Sequence, residues 1–421
     1  MLENFVAKFP HFIQPLVIDV LFVLYTVSPF VIPFILLSLA LKFRRNYKRF
    51  LFRAMQNRIL MEIRVPKEIK KSPLAMELFL GALHQPGGEG TWYDRSILGK
   101  SRTWFSLEMV SLEGNVRFFI WTEAKFKKLL ESQLYAQYPG VEIFEVPDYT
   151  KFTALDLSNM SLWGNEFILT KDDPYPIKTY VDYGLDRQGI EDEEKIDPMS
   201  PVLEFLGAIG KGEQLWIQIM VRAHKKNFRK ELEWKDRFEK MQWSDSYDWT
   251  EKGKEEKKKL LANLVTDEKD KTKNRPPTKV ESQVIEAVER NITKPGFDCG
   301  IRGIYIAEKD KFNPINITGM TGSFKQYNSG NMNGFRPNRV TGFDYPWQDY
   351  KNTRLNKMKN EIFNDYKKRA YFYYPHTSDK QFVLSSEELA TIFHLPSKSV
   401  ETPTFSRIES KKSEPPANLP F

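Results

Sequence analysis

One partial likeness to a phosphate-binding motif in this chain is the segment Gly207–Gly212, with the sequence GAIGKG. A P-loop needs G-x-x-x-x-G-K-[ST], because its glycines let backbone N–H groups surround phosphate and its lysine reaches the terminal phosphates. Here the glycine spacing differs, glycine follows Lys211, and the helical pattern precedes the glycines instead of following them. The pair Gly319 and Gly322 is not followed by Lys-Ser. The sequence therefore predicts no P-loop.

Metal-ligating and nucleophilic residues are few and scattered. No G-x-S-x-G or Cys–His signature is present, and the acidic run Glu191–Glu194 has no further ligand at metal-binding spacing, so we interpret it as a solvated loop. Cys299 is the single cysteine, which excludes an internal disulfide and is typical of a small buried strand residue. We expect no enzyme, no cofactor and no metal; an enzyme with an unrecognised site is the least favoured alternative. The five histidines have no paired spacing: His11, His84, His224, His376 and His394.

The stretch from Val20 to Leu41 contains no charged residue and is 22 residues long. A helix needs about 20 predominantly apolar residues to cross a bilayer. Pro29 and Pro33 would break a soluble helix, whereas membrane helices tolerate them. A signal peptide is disfavoured because its basic residues precede the apolar run, and here they follow it. The sequence predicts a transmembrane anchor from Val20 to Leu41.

A basic segment follows this anchor directly. Residues 42–58 contain seven Lys or Arg and no acid, whereas residues 1–19 contain one Lys and two acids. Basic residues remain on the cytoplasmic side, so we expect one crossing, an outward N-terminus and a cytoplasmic body. The net charge of +8 owes much to this segment, which favours an anionic membrane surface over nucleic acid as its partner. The predicted lipid-headgroup contacts are Lys42, Arg44, Arg45, Lys48, Arg49 and Arg53.

The part of the chain after the anchor, which we divide from it at residue 58, predicts an α+β fold. We interpret residues 53–64 as a helix that continues from the membrane. Residues 59–150 then show the order helix, strand, strand, helix, strand, with a hairpin turn at Glu113-Gly114-Asn115. This order is typical of a ferredoxin-like module, a sheet with two helices on one face.

Residues 151–375 show a second helix–strand, helix–strand pattern, interrupted by a charged insertion at 225–279 that we interpret as exposed and partly helical or disordered. We predict a second ferredoxin-like module here. The Gly- and Asn-rich stretch Phe312–Trp347 is interpreted as a long loop. Residues 376–421 are predicted to form one short helix, N-capped by Ser385 or Ser386, and a disordered Pro-rich tail.

Several stretches together have a family resemblance. They are Leu83–Val146, Asp173–Tyr183 and Asp197–Ala223, with LSSEELATIFHLPS and EPPANLP near the end. The chain resembles the N-terminal, membrane-tethered region of bacterial type IV secretion and conjugation ATPases of the FtsK/HerA-like kind. The resemblance implies a motor-associated platform at the bacterial inner membrane. In such proteins the ELAxLFHLP-like segment leads into a P-loop domain; none is present here, so no ATP-binding residue is carried over, and either a separate chain supplies the ATPase or the sequence is truncated.

Two functions follow as expectations. The first is a non-catalytic, homo-oligomeric assembly module for DNA transfer or secretion, which docks a separately encoded P-loop ATPase at the membrane. Its docking residues would lie on the last short helix, for which packing on the chain's own body is the open alternative: Leu389, Ile392, Phe393 and Leu395. The second is single-stranded nucleic-acid binding, with bases stacked on Phe118, Phe119 and Trp121, for which burial in the core is the favoured alternative.

Overall fold

The computed structural model describes residues 14–66, 71–91, 93–187, 196–225, 228–230, 245–262, 276–373 and 381–396. It is α+β, as the sequence predicts, and has one apolar N-terminal helix in the described part and an antiparallel sheet. The chain divides into two units, residues 1–55 with 88–101, and residues 56–87 with 102–421. The predicted disordered tail from residue 397, the acidic run at 191–194 and much of the charged insertion lie outside the described residues.

The first unit is built on helix α1 (Gln14–Ala54), which includes both Pro29 and Pro33. At about 1.5 Å per residue its 41 residues are about 60 Å long. A π-helical turn (Asp94–Leu98) belongs to the same unit. Gly99, which follows this turn, has a φ of +69°, and a Cβ there would lie 2.5 Å from the carbonyl carbon of Lys48. Glycine is therefore required where this turn meets the α1 backbone.

The second unit begins with a correction to the sequence prediction. Residues 58–64 form strand β1 (Arg58–Arg64), where we expected the helix to continue. In RILMEIR, Ile59, Met61 and Ile63 alternate with the other side chains, and pairing to two neighbouring strands satisfies the backbone on both sides. The elements that follow agree with the predicted order: α2 (Leu74–Leu83), β2 (Phe105–Leu112), β3 (Asn115–Glu123), α3 (Lys127–Gln137) and β4 (Glu142–Val146).

The β2–β3 hairpin is confirmed at the predicted turn. Leu112 pairs with Asn115, which leaves Glu113 and Gly114 as the two turn residues. Both have positive φ, 55° and 87°. Two positive φ values in a two-residue loop match the right-handed twist of the flanking strands, which is why glycine is favoured there.

The rest of the second unit contains more regular structure than the sequence predicts. The stretch Phe312–Trp347, expected to be a loop, includes a helix and an edge strand, and residues 382–385 add a strand to the sheet. The elements are β5 (Met160–Leu169), α4 (Ser200–Gly207), β6 (Glu213–Ala223), β7 (Phe228–Lys230), β8 (Asp245–Tyr247), α5 (Trp249–Ala262), α6 (Lys279–Thr293), β9 (Gly296–Glu308), α7 (Ile315–Ser323), β10 (Phe335–Asn338), α8 (Thr353–Lys367), β11 (Phe382–Ser385) and α9 (Ser386–Ile392).

Nine strands form one sheet in the order β10-β5-β9-β6-β2-β3-β1-β4, with β11 paired to β9, and every neighbouring pair is antiparallel. The two ends of this order are alike. Numbered along the chain, the four strands of one half are β1, β2, β3 and β4, and those of the other half are β5, β6, β9 and β10. From the centre of the sheet outward, each half has the spatial order second, third, first, fourth. The second strands, β2 and β6, pair along their length and join the halves. Residues predicted to form two modules therefore share a continuous sheet.

The two faces of this sheet differ in composition. We call the side that carries Leu107, Ile217 and Ile301 the apolar face; it packs against helices α2, α3, α4, α7 and α9. The opposite side carries Glu108, Gln218 and Arg302, and we call it the ladder face. It is covered by α8 and by side chains that follow α8 in the chain. Alternation along each strand separates the two sets.

Candidate functional site

Helix α1 exposes a continuous apolar surface. Residues Tyr25–Ala54 form the one helix in the described part of the chain that is long and apolar enough to cross a membrane, and none of its most apolar window is buried. Its hydroxyl groups bond to their own helix: Thr26 donates to the Phe22 carbonyl at 2.8 Å, and Ser38 donates to the Ile35 carbonyl at 2.7 Å. Internal satisfaction of polar groups is what a hydrocarbon environment requires.

The basic residues predicted to contact lipid lie at the C-terminal end of α1. Lys42, Arg44 and Lys48 are exposed. The other three, Arg45, Arg49 and Arg53, are half-buried. Of the predicted anchor boundaries, Leu41 is exposed and Val20 lies in the first half of the helix. Three of the six basic side chains are thus exposed and accessible to an anionic surface.

The predicted docking residues are in the core. All four are at most 1% exposed and belong to the main hydrophobic cluster on the apolar face: Leu389, Ile392, Phe393 and Leu395. Helix α9 packs on α2, and β11 pairs with β9 immediately before it. The structure shows the alternative considered above, which is packing on the chain's own body. Burial of four large apolar side chains within seven residues stabilises the fold, whereas their exposure to water would cost free energy.

The N-terminus of α9 has the predicted cap. Ser385 is the N-cap and forms a capping box with Glu388. The Glu388 carboxylate also accepts a hydrogen bond from the backbone N–H of Ile177 at 2.9 Å. Burial nevertheless dominates and raises the pKa of Glu388 to about 8, although the backbone donors at Ser385 and Ile177 oppose the shift. This carboxyl is thus buried, and no ion pair is formed by it within the part of the chain that the structure describes.

Hydrogen bonds and ion pairs of Glu387 and His394 also hold this final segment to the body. Glu387 accepts from Thr179 Oγ1 at 2.7 Å and lies 3.2 Å from Arg290 Nε. Its pKa is raised, chiefly by burial. His394 contacts the Ala390 carbonyl through Nδ1 and the Asp197 carboxylate through Nε2 at 3.2 Å. His394 is therefore a packing and hydrogen-bonding residue, and it is not part of a metal cluster in the described residues.

A row of buried polar side chains crosses the ladder face. Glu166, Arg302, Gln218 and Glu108 occupy paired positions on four neighbouring strands, β5, β9, β6 and β2. Arg302 Nη2 lies 2.7 Å from Glu166 Oε1, and Gln218 Nε2 donates to Glu108 Oε1 at 3.1 Å. None of the four is more than 2% exposed. The sequence prediction contained none of these residues. The available signal for the row was a polar side chain that interrupts each otherwise apolar strand.

Arg369, just after α8, completes this row. Its Nε and Nη2 atoms donate to the two carboxylate oxygens of Glu108, at 3.0 and 3.1 Å, and Nη1 and Nη2 contact Asp148. Tyr149 donates to Glu108 Oε2 at 2.8 Å and contacts the Tyr366 hydroxyl. Such bidentate pairs are the strongest kind of charge-assisted hydrogen bond. Since Arg369 and Glu108 are both enclosed, this arrangement supports the fold and does not present a reacting group.

A second buried cluster surrounds Asp298 on β9. Its carboxylate lies 2.8 Å from Arg222 Nη2, 3.2 Å from Arg102 Nη1 and 2.6 Å from His224 Nδ1. Burial alone would raise the pKa of Asp298, but Arg222, His224 and Arg102 outweigh burial and lower it. Arg222 lies near the end of β6 and His224 directly follows that strand, and their i, i+2 spacing was a signal for this cluster, because extended backbone directs both side chains to one side.

The aromatic residues that we expected to stack on bases are also in the core. Phe118, Phe119 and Trp121 are buried, and Phe118 faces opposite to the other two. Cys299 is fully buried, as predicted, with its thiol near the Phe297 carbonyl; burial raises its pKa. Within the part of the chain that the structure covers, no three His, Cys, Asp or Glu residues stand where they could hold a metal ion.

These features define an α+β protein in which a helix of membrane-spanning length precedes one continuous antiparallel sheet. Residues 40–407 match the protein family described as Domain of unknown function (DUF8128). Because the match extends over most of the chain, the protein belongs to this family. The matched region begins near the end of the apolar stretch and includes the entire sheet. A comparison with curated proteins finds no match.

Proposed function

We propose that this protein is a membrane-anchored, non-catalytic assembly module of a bacterial secretion or DNA-transfer machine. The observation that carries the proposal is the exposed apolar surface of α1, with the basic residues that follow it. Exposed apolar area costs about 25 cal/mol per Å² in water, so a helix of this kind requires a hydrocarbon environment. The basic segment supports the inner membrane as the location and the cytoplasm as the compartment of the body.

The body supports a role in assembly. Each half of the sheet has a β-α-β-β-α-β order, if everything between β6 and β9 is set aside, namely the charged insertion and helix α6, and that order is typical of the ferredoxin-like motif. We interpret the two halves as two such modules joined through β2 and β6. The described polar clusters are enclosed and paired, which suits a scaffold that presents outer surfaces to neighbours.

The partner that we propose is a P-loop ATPase encoded by a separate gene, as the family resemblance implies. The chain's own sequence lacks the G-x-x-x-x-G-K-[ST] pattern. Since Leu389 and its apolar neighbours are buried, the ATPase would dock on an outer surface of the body and not on α9. Assembly of several copies would place several anchors around one motor.

Membrane orientation is tested with introduced cysteines, because the native Cys299 is buried. We expect Glu3→Cys to react with a membrane-impermeant maleimide on intact spheroplasts and Lys258→Cys to react only after lysis. Carbonate extraction should leave the full chain in the membrane fraction. Labelling of Lys258→Cys on intact spheroplasts, or release by carbonate, would contradict the proposal.

The assembly role is tested by cross-linking in the native membrane, followed by purification of the full chain. We expect a P-loop ATPase at a fixed ratio to the bait and more than one copy of the bait per particle. Substitution of the P-loop lysine in that partner should abolish ATP hydrolysis and leave the complex intact. Recovery of an isolated monomer without an ATPase would exclude this function.

A further inference from the structure

We propose that residues 343–359 form a binding site for single-stranded nucleic acid. The segment comprises the loop before α8 and the first turns of that helix. Its three loop aromatics, Tyr345, Trp347 and Tyr350, are 52%, 78% and 81% exposed. Trp347 and Tyr350 are among the most exposed aromatic side chains that the structure describes, and three exposed rings within six residues form an apolar surface patch.

The rings of this loop are held in a defined arrangement. Tyr345 and Trp347 stack with their centroids 4.7 Å apart and their planes within 14° of each other. The turn that carries them is closed by a hydrogen bond from the Tyr345 backbone N–H to Gln348 Oε1. Because Tyr345 covers one side of the indole, the exposed remainder of Trp347 can stack on a base. Every base has a π face, so such stacking is tolerant of sequence.

Positive charge adjoins these rings. Between residues 351 and 359 the chain has four basic side chains and no acid: Lys351, Arg354, Lys357 and Lys359. The nearest preceding acid, Asp349, is engaged as a helix cap, since its two oxygens accept from the backbone N–H groups of Arg354 and Leu355 at 2.9 and 2.7 Å. A phosphate backbone is the complementary charge.

One of these basic side chains, Lys359, lies close enough to the cation of Lys309 for the two charges to oppose each other. The pKa of Lys359 is lowered, first by burial and second by the charge of Lys309. A bound phosphate would relieve this repulsion. Lys351 Nζ lies 5.2 Å from the centre of the Tyr350 ring, so a cation stands beside an exposed stacking surface. Exposed rings beside cations are the combination that single-strand-binding surfaces use.

The composition of the loop favours nucleic acid over a lipid surface. A segment that inserts into the acyl boundary normally presents a continuous apolar face on an amphipathic helix, with Trp, Phe or Leu on that face. In residues 343–352 the strongly exposed large side chains are tyrosine and tryptophan, with Asp344 and Asp349 among them. Phosphate contact would come from the basic residues that follow.

The test uses the full chain in nanodiscs of neutral lipid and a fluorescein-labelled oligo-dT of about 20 nucleotides, which is longer than footprints of about 4–16 nucleotides. Fluorescence anisotropy should show saturable, salt-dependent binding. The double variant Trp347→Ala/Tyr350→Ala should weaken it at least about tenfold, since each stacked base contributes about five- to 150-fold. Phe152→Ala is the matched control, because Phe152 is 78% exposed and lies outside the loop; its affinity should be unchanged.

The phosphate contacts have their own control. Arg354→Gln/Lys357→Gln should lower the slope of log affinity against log salt by about 1.4, that is, by about 0.7 per lost contact. Lys254→Gln/Lys258→Gln removes the same charge from exposed positions of α5 and should leave the slope unchanged. Unfolding transitions that match wild type would show that each variant is folded.

Three results would overturn the proposal. The first is that the wild-type chain shows no saturable binding of oligo-dT at low salt. The second is that the aromatic variant and Phe152→Ala lose equal affinity for oligo-dT. The third uses Asn356→Cys, labelled with an environment-sensitive dye, which is selective because Cys299 is buried. The dye should respond to oligo-dT; a response to anionic lipid in the nanodisc, with none to oligo-dT, would make the loop a lipid-binding element instead.

Discussion

The apolar face and the ladder face of the sheet are both enclosed, but different interactions hold them. On the apolar face, side chains such as Leu107 and Ile301 pack against helices. On the ladder face, Glu108, Arg302 and Arg369 form buried ion pairs between neighbouring strands and the segment after α8. A one-residue slip of a strand would move every side chain to the opposite face. The ladder would then put charges in the apolar core, so it specifies strand register in addition to stability.

The largest effect is expected from breaking the ladder at Arg369. Arg369→Met should lower the free energy of unfolding by about 3–5 kcal/mol, because it leaves the Glu108 carboxylate buried without its cation. Adding Glu108→Gln should recover part of the loss. Denaturant unfolding of the full chain in detergent, followed by tryptophan fluorescence, measures both.

A matched control comes from an exposed ion pair. Lys127 contacts Glu145 at 2.6 Å, but both are partly exposed. Lys127→Met should leave the unfolding free energy almost unchanged, because exposed ion pairs are screened by solvent. Equal losses in Arg369→Met and Lys127→Met would show that burial gives the ladder no special weight.

The apolar face is tested at its most C-terminal contributor. Leu389→Ala should lower the free energy of unfolding by about 3 kcal/mol, since Leu389 is fully buried under α2 and its truncation leaves a cavity. Leu78→Ala, at an exposed position of α2, should cost much less. Denaturation midpoints decide; an unchanged midpoint for Leu389→Ala would mean that α9 is not integral to the core and would restore its docking role.

Two glycines on β9 compare the faces directly. A Cβ at Gly300 would overlap the ring of Tyr371 on the ladder face, and a Cβ at Gly303 would meet the end of Met320 on the apolar face. Gly300→Ala should cost about 2 kcal/mol and Gly303→Ala less, because a methionine can move aside and an enclosed ring cannot. Thermal unfolding of the two variants gives the order; the reverse order would show that the ladder face is the more adaptable one.

The smallest expected effect, counted per pH unit, is a pH dependence of opposite sign for two buried carboxyls. Burial raises the pKa of Glu388 to about 8, so between about pH 4.5 and 8 the unfolded chain has lost a proton that the folded chain keeps. Stability should therefore fall as pH rises through this range, by up to about 1 kcal/mol per pH unit. Glu388→Gln should flatten this slope in denaturant titrations.

Asp298 should behave in the opposite way. Its cationic neighbours lower its pKa in the folded state, so its contribution is present above the unfolded pKa of about 3.9 and is lost as pH falls below it. Asp298→Asn should reduce the acid sensitivity. If Glu388→Gln leaves the stability profile above pH 4.5 unchanged and Asp298→Asn leaves the acid profile unchanged, these two carboxyls do not set the pH dependence of stability.

Local patterns in the sequence predicted the local structure well. The apolar run predicted a helix of membrane-spanning length, the Glu113-Gly114 turn predicted the β2–β3 hairpin, and Ser385 predicted a helix cap. Each depends on residues within a few positions of one another. The prediction failed at β1, which followed a long helix without a breaking residue and was therefore assigned as helix. It also failed at α7 and β10, where glycine and asparagine suggested a loop.

The partners of buried charges could not be predicted, because they lie far apart in the chain. Glu108 meets Arg369 across 261 positions, and Arg302 meets Glu166 across 136. Likewise, the apolar stripe of α9 was compatible with docking to another protein or with packing on its own body. Only the placement of α2 and β9 around it decides between them.

The sequence by itself therefore determined the apolar helix, its basic flank and the α+β class, since composition and short-range periodicity fix these through the hydrophobic effect. The tertiary structure alone decided that two predicted modules share one sheet, that the last helix is part of the core, and that charges cross the sheet as a ladder. Those outcomes depend on strand pairing between distant residues, whose free energy appears only when the neighbours are in place.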